Sequence, residues 1–231
     1  MRPFCGLMLY VCFRHSRGRR GLYALFTFST YSFWSALALV LLGPLSGQAQ
    51  DASAYYQLAV DTLMKNPPMA TAYSYQAEAL LRVEDKVQKV KIYCIRAEAV
   101  ARMQKMDLAM AILDSVVALA PASNRIAAII DKARGKVYYN MGHEMLVKDP
   151  KKSMDYAEEM RALMAPDDYE SMALRHNLIA SAYTMVLQHD SALAHLDSVL
   201  YYTSYWEDKA LQATMRIKAY NNKGINYSYQ N

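Results

Sequence analysis

The run Ala109-x-Ala111-x-Leu113-Asp114-Ser115-Val116 returns 83 residues later as Ala192-x-Ala194-x-Leu196-Asp197-Ser198-Val199. Residues 54–136 laid over 137–219 without gaps share 19 identities, where typical composition gives roughly six. The matches fall in clusters. Tyr55-Tyr56 recurs as Tyr138-Tyr139, Leu63-x-Lys65-x-Pro67 as Leu146-x-Lys148-x-Pro150, and Tyr73 as Tyr156. The spacing shortens by one near the end, where Tyr138-x-Asn140-x-Gly142 reappears as Tyr220-x-Asn222-x-Gly224. A chain that repeats at this period builds one supersecondary unit several times and buries its core between units.

Within each unit the pattern is helical. From Ala97 to Val117 apolar residues fall at three- and four-residue steps with no Gly or Pro, and Pro67, Pro68, Pro121, Pro150 and Pro166 sit between periodic segments. Asn66 and Asp149 each precede a proline, the arrangement of an N-cap before a first-turn proline. Asp107 and Asp190 are expected to cap second helices. The spacing predicts helices over 52–65, 67–82, 86–105, 107–120, 124–148, 150–164, 168–188, 190–203 and 206–229, which is four hairpins and a fifth first helix. Close packing of antiparallel helices needs a small residue at each crossing. Ala97, Ala180, Gly142 and Gly224 fill that role on first helices, and Ala109, Ala192 and Ser153 on second helices.

These residues resemble the tetratricopeptide repeat family. Tyr220-x-x-Lys223-Gly224-x-x-Tyr227 follows the first half of its motif, with lysine in place of leucine. Ala109-x3-Leu113 followed by Pro121 follows the second half, and Ile179-Ala180-x-x-Tyr183 followed by Ala192-x3-Leu196 is the fullest single match. The mean spacing, about 41 residues, exceeds the family's 34, so the first helices must be longer; HEAT-like repeats have that length but lack the Gly, Tyr and Ala pattern. The resemblance implies an all-α, right-handed superhelical stack of antiparallel helix pairs that binds a protein or peptide. It also places Tyr183 and Tyr227 on packing positions.

The first 50 residues differ in character. They hold Arg2, Arg14, Arg17, Arg19 and Arg20 and no acid, so the net charge of +5 belongs to them, and the rest balances. A basic stretch, an apolar run from Leu22 to Leu45 and Gly47-Gln48-Ala49 form the three regions of a secretory signal peptide over 1–49, cleaved after Ala49. The alternative is an uncleaved membrane anchor, since the run is long enough to span a bilayer. Both readings place residues 50–231 outside the cytoplasm, periplasmic or otherwise exported, and leave no basic excess for nucleic acid. Membrane contact is then expected only through the leader or a segment beyond Asn231. The last predicted helix has no partner helix, so the chain reads as truncated within a fifth repeat.

Little in residues 50–231 points to catalysis. His143-Glu144 lacks the second histidine of a zinc-protease motif, and no Gly-rich phosphate loop is present. His143, His176, His189 and His195 are expected to be solvated surface residues, and Cys94 a small buried one. No cofactor or metal is expected. The composition is rich in tyrosine, with 16 in this region and no Phe, and tyrosine suits the half-buried wall of a groove. The polar first-helix residues Asn140, Asn177, Ser181, Thr184, Asn221 and Asn222 are the candidate lining of a binding groove. An export leader ahead of such repeats resembles the sensory half of Bacteroidetes-type regulators. That layout implies the sensor part of a signal-transduction or transcription regulator, and the alternative is a structural scaffold in a cell-envelope complex.

Overall fold

The computed structural model describes residues 51–119 and 123–230; the predicted leader and Pro121 lie outside them. Among the described residues there are nine α-helices and no strand. They are α1 (Ala52–Thr62), α2 (Pro67–Ala79), α3 (Lys86–Arg102), α4 (Met106–Leu119), α5 (Asn124–Met145), α6 (Pro150–Leu163), α7 (Tyr169–Met185), α8 (His189–Thr203) and α9 (Lys209–Ser228). None of these helices is long and apolar enough to cross a membrane.

All nine predicted helices form, and their starts are read closely while their ends are not. The sequence pattern runs on about three residues at most C-termini because apolar residues such as Leu63 and Leu146 continue past the last turn and stay buried. Two of the ends close by the same device. Gln104 and Leu187, 83 residues apart, take left-handed φ of 60°. Lys105 and Gln188 then donate their backbone N–H to the carbonyls of Val100 and Tyr183, while Gln104 and Leu187 donate to Ala101 and Thr184. This is the Schellman closure of a helix, made here without glycine.

The starts bear out two of the predicted caps and correct two others. Asn66 Oδ1 accepts from Met69 N at 3.2 Å and Asp149 Oδ1 from Lys152 N at 3.0 Å, each with proline at the helix start. Asp107 and Asp190 are not caps. α4 begins at Met106 and α8 at His189, which puts both acids inside the first turn. There they still face the positive end of the helix dipole.

Packing follows a strict neighbour rule. Each helix touches the next along the chain, and each odd-numbered helix also touches the next odd one: α1 with α3, α3 with α5, α5 with α7, α7 with α9. No even-numbered helix touches another even one. The odd helices therefore form one continuous layer, and the even helices lie behind it as separate braces. The core is correspondingly a series of patches. Cys94, Ala97, Val100, Ala109, Leu113 and Val137 share one, Leu146, Met160 and Leu178 a second, and Ala180, Leu196, Met215 and Ala219 a third. The repeat shows in side chains too: Tyr55 and Tyr73 lie 6.2 Å apart, and their counterparts Tyr138 and Tyr156 6.0 Å.

The small residues behave as crossing points, with one exception. Ala97, Ala109, Ala180, Ala192 and Ser153 are almost wholly buried, with Leu113 and Leu196 filling around them. A β-carbon on Gly142 would collide with the Leu178 side chain, whereas one on Gly224 would meet nothing within 4 Å. Gly224 is exposed, and Tyr227, expected on a packing position, is 49% exposed. Gly142, the equivalent of Gly224 on α5, is covered by Leu178 of α7; no described helix stands in that place beside α9.

Candidate binding face

The layer of odd helices carries the polar chemistry. A line of alternating charges crosses three of them. Arg102 Nη2 meets Glu98 Oε1 at 3.0 Å on α3, and Glu98 Oε2 meets Lys136 Nζ of α5 at 3.6 Å. Lys136 then meets Glu170 Oε1 of α7 at 3.0 Å, and Glu170 Oε2 meets Lys132 Nζ at 2.8 Å. Lys132 ends the line on Asp168, the N-cap of α7, at 3.5 Å. Tyr56 of α1 sits beside it, where burial and then Cys94 and Glu98 raise its hydroxyl pKa against the pull of Lys136.

Burial opposes charge on both Lys136 and Glu170, yet each keeps it. Glu98 and Glu170 outweigh desolvation and raise the pKa of Lys136. Lys136 and Lys132 likewise outweigh it and hold the Glu170 carboxyl below the usual range. Glu98 itself is buried. A charge buried this far is tolerable only when paired, and each member here has a partner of opposite sign. Such a line orients helices against one another and offers fixed charges at its exposed margin; it holds no group free to act as an acid or base.

Further along the layer, Asn177 Nδ2 donates to Tyr139 Oη at 3.1 Å, while Asn177 Oδ1 is buried with no partner. A cleft of about 240 Å³ is lined by Arg102, Gln104, Asn140, His143 and Glu144 among others, and the His143 ring on its wall lies 5.5 Å from that of Tyr139. Lys218 of α9 lies close enough to join burial in holding the His143 pKa down.

The predicted groove residues separate into three groups. Asn140 lines the cleft and donates to Lys136 O at 2.8 Å. Asn177 is buried between helices, where it is a packing residue with one spare acceptor. Ser181 donates back to Asn177 O within its own helix. Thr184 is bound into a junction in which the wholly buried Asn226 meets it and also accepts His189 Nδ1 at 2.9 Å. Asn221 is exposed and Asn222 half-buried on α9, Asn222 giving its carbonyl to Asn226. The six residues do not line one groove. Identity and spacing placed them on first helices, but which side each faces depends on the twist between successive helices, which a single-helix pattern lacks.

The charged line was missed by sequence reasoning, although a signal existed. Glu98/Arg102 and Lys132/Lys136 are pairs four apart, and such pairs share a helix face. The histidines are a further correction. His176 Nδ1 and His195 Nδ1 lie 2.8 Å apart, half-buried between α7 and α8, with Tyr202 and Tyr183 against their rings. Burial, His195 and Arg175 hold the His176 pKa down to about 4. His189 stacks on Tyr229; only His143 is exposed as expected. Cys94 is buried as expected, and desolvation together with Glu98 pushes its thiol up to about 12, so it stays protonated at neutral pH. Among the described residues no group of three or more His, Cys, Asp or Glu is placed to hold a metal. The chain matches no family model and no curated protein.

Proposed function

We propose that residues 50–231 form a tetratricopeptide-like, right-handed superhelical stack that works outside the cytoplasm as a protein- or peptide-binding module. The observation that carries this reading is the one-sided layering. Odd helices touch one another and even helices do not, which concentrates first-helix side chains on one extended face, the usual binding surface of helical repeats. That face carries the charge line from Arg102 to Asp168 and the adjoining cleft. The order of basic stretch, apolar run and small residues in the leader supports export. An exported binding stack suits the sensor part of a signalling protein.

The test is selection of peptides on the full chain from a random library, followed by titration of the winners against Glu170→Gln, Asn140→Ala and, on α8 away from the face, Ser198→Ala. Glu170→Gln and Asn140→Ala should weaken binding by about tenfold each while Ser198→Ala leaves it unchanged. Equal binding to all three variants would remove the face from consideration.

A further inference from the structure

A cavity of about 110 Å³ is lined by Val83, Lys86, Lys89, Val90, Tyr93 and Val116. It joins the loop after α2 and the first turns of α3 to the last turns of α4. Val90 and Val116 are buried and give it an apolar floor, while Val83 is 95% exposed. Tyr93 supplies an aromatic wall that is fixed from behind. Its hydroxyl donates to Glu78, Glu78 meets Arg96 Nη2 at 2.6 Å, and the buried Arg96 donates through Nε to Ser74 Oγ at 3.0 Å. Lys86 and Lys89 are the charged lining residues, with Lys89 Nζ 5.8 Å from the centre of the Tyr93 ring. Among the described residues neither ammonium makes an ion pair or a hydrogen bond. Glu78, the carboxylate that Lys89 feels at longer range, is already taken by Tyr93 and Arg96.

The second copy of the repeat shows what this frame accepts. At the spacing of 83, Val90, Tyr93 and Val116 correspond to Ala173, His176 and Val199, and Lys86 and Lys89 to Tyr169 and Met172. There the ring of Tyr202, from the end of α8, lies 5.4 Å from that of His176 and 6.4 Å from that of Tyr169. The first copy has no aromatic residue at the place of Tyr202, and it carries two positive charges where the second has none.

We infer that this cavity binds a small free arylcarboxylate, one aromatic ring bearing one carboxylate. The ring lies against Tyr93 and the valines, and the carboxylate meets Lys86 and Lys89. An apolar cavity of roughly 150 Å³ takes a benzene-sized ring, so a single ring fills this one and leaves its substituent toward the lysines. The walls supply most of the affinity by burying the ring. The ammoniums, only partly shielded from water, add a modest amount and decide the sign of charge admitted. A neutral ring leaves them unanswered, and a cationic ring is repelled. This site is separate from the first-helix face proposed above and does not rest on it.

The probe is phenylacetate, titrated into the full chain at low salt and followed by NMR shifts of the Val83, Val90 and Val116 methyl groups. Saturable shifts with a Kd of about 1 mM or tighter are expected, the range open to a ligand of this size. Phenylacetamide, the same shape without charge, should bind the native chain about tenfold more weakly. Lys86→Gln and Lys89→Gln should each weaken phenylacetate by about threefold to fivefold and leave phenylacetamide unchanged. Val83→Ser should weaken acid and amide alike. Circular dichroism checks that these surface variants keep the fold, and the comparison of acid with amide needs no variant at all. No methyl shift up to about 10 mM phenylacetate overturns the inference, as does equal binding of acid and amide by the native chain. N-acetyl-glycyl-phenylalanine binding at least about tenfold more tightly than phenylacetate would assign the cavity to a peptide terminus and overturn the free acid. The first-helix reading is tested by Glu170→Gln and Asn140→Ala, so either result can fail alone.

Discussion

Leu178 of α7 occupies the space that a β-carbon on Gly142 of α5 would need. Gly142→Ala therefore forces a wholly buried leucine out of its seat, at a cost of roughly 1–3 kcal/mol, offset by about 1 kcal/mol from better helix propensity. A net loss of stability in urea unfolding is expected. In a Leu178→Ala background the same substitution should become stabilising. Gly224→Ala, with no neighbour to strike, should stabilise by about 0.5–1 kcal/mol on propensity alone. Equal effects at the two glycines would show that their surroundings do not differ.

The left-handed residues at the ends of α3 and α7 are Gln104 and Leu187. A side chain in that conformation costs roughly 1 kcal/mol relative to glycine. Gln104→Gly and Leu187→Gly should each raise stability by about 0.5–1 kcal/mol, additively, because the sites belong to different repeats. Chemical denaturation of the single and double variants measures this. A loss at either position would mean that its side chain contributes more than its backbone strain removes.

Asn66→Ala and Asp149→Ala each remove a side-chain acceptor from a helix start that already contains proline. The expected cost is about 1 kcal/mol each. Asp107→Ala and Asp190→Ala, which lose only a favourable dipole contact, should cost less, roughly 0.3–0.5 kcal/mol. Thermal unfolding of the four variants orders them, and the reverse order would restore Asp107 and Asp190 as caps.

The His176–His195 contact makes stability depend on pH in a set direction. The folded His176 pKa is held down to about 4, below the ordinary histidine value of 6.5, so in acid the unfolded chain binds a proton that the folded chain refuses. Stability is then full above the unfolded value and falls as pH drops from about 6.5 toward 4. The pair is half-exposed, and solvent screening reduces the loss to roughly 1–2 kcal/mol. Urea midpoints at pH 7.5 and 5.0 should separate more for the native chain than for His176→Phe. An unchanged separation would place the acid sensitivity elsewhere.

The 83-residue repeat, the period of three and four, and the proline boundaries were enough to place nine helices and to name the residues at their crossings, because hydrophobic spacing and capping are local properties. Asn66 and Asp149 were legible as caps for the same reason. Contacts between helices were not. Glu98 and Lys136, or His176 and His195, meet only through the angle and offset at which one hairpin lies on the next, and no single-helix pattern encodes that. The same holds for Asn177 and Thr184, which carry groove chemistry on paper but are turned into interfaces by the stack. Gly142 and Gly224 mark the limit most clearly. They hold equivalent places in the repeat, and only the tertiary structure shows that one is filled by Leu178 while the other faces open space.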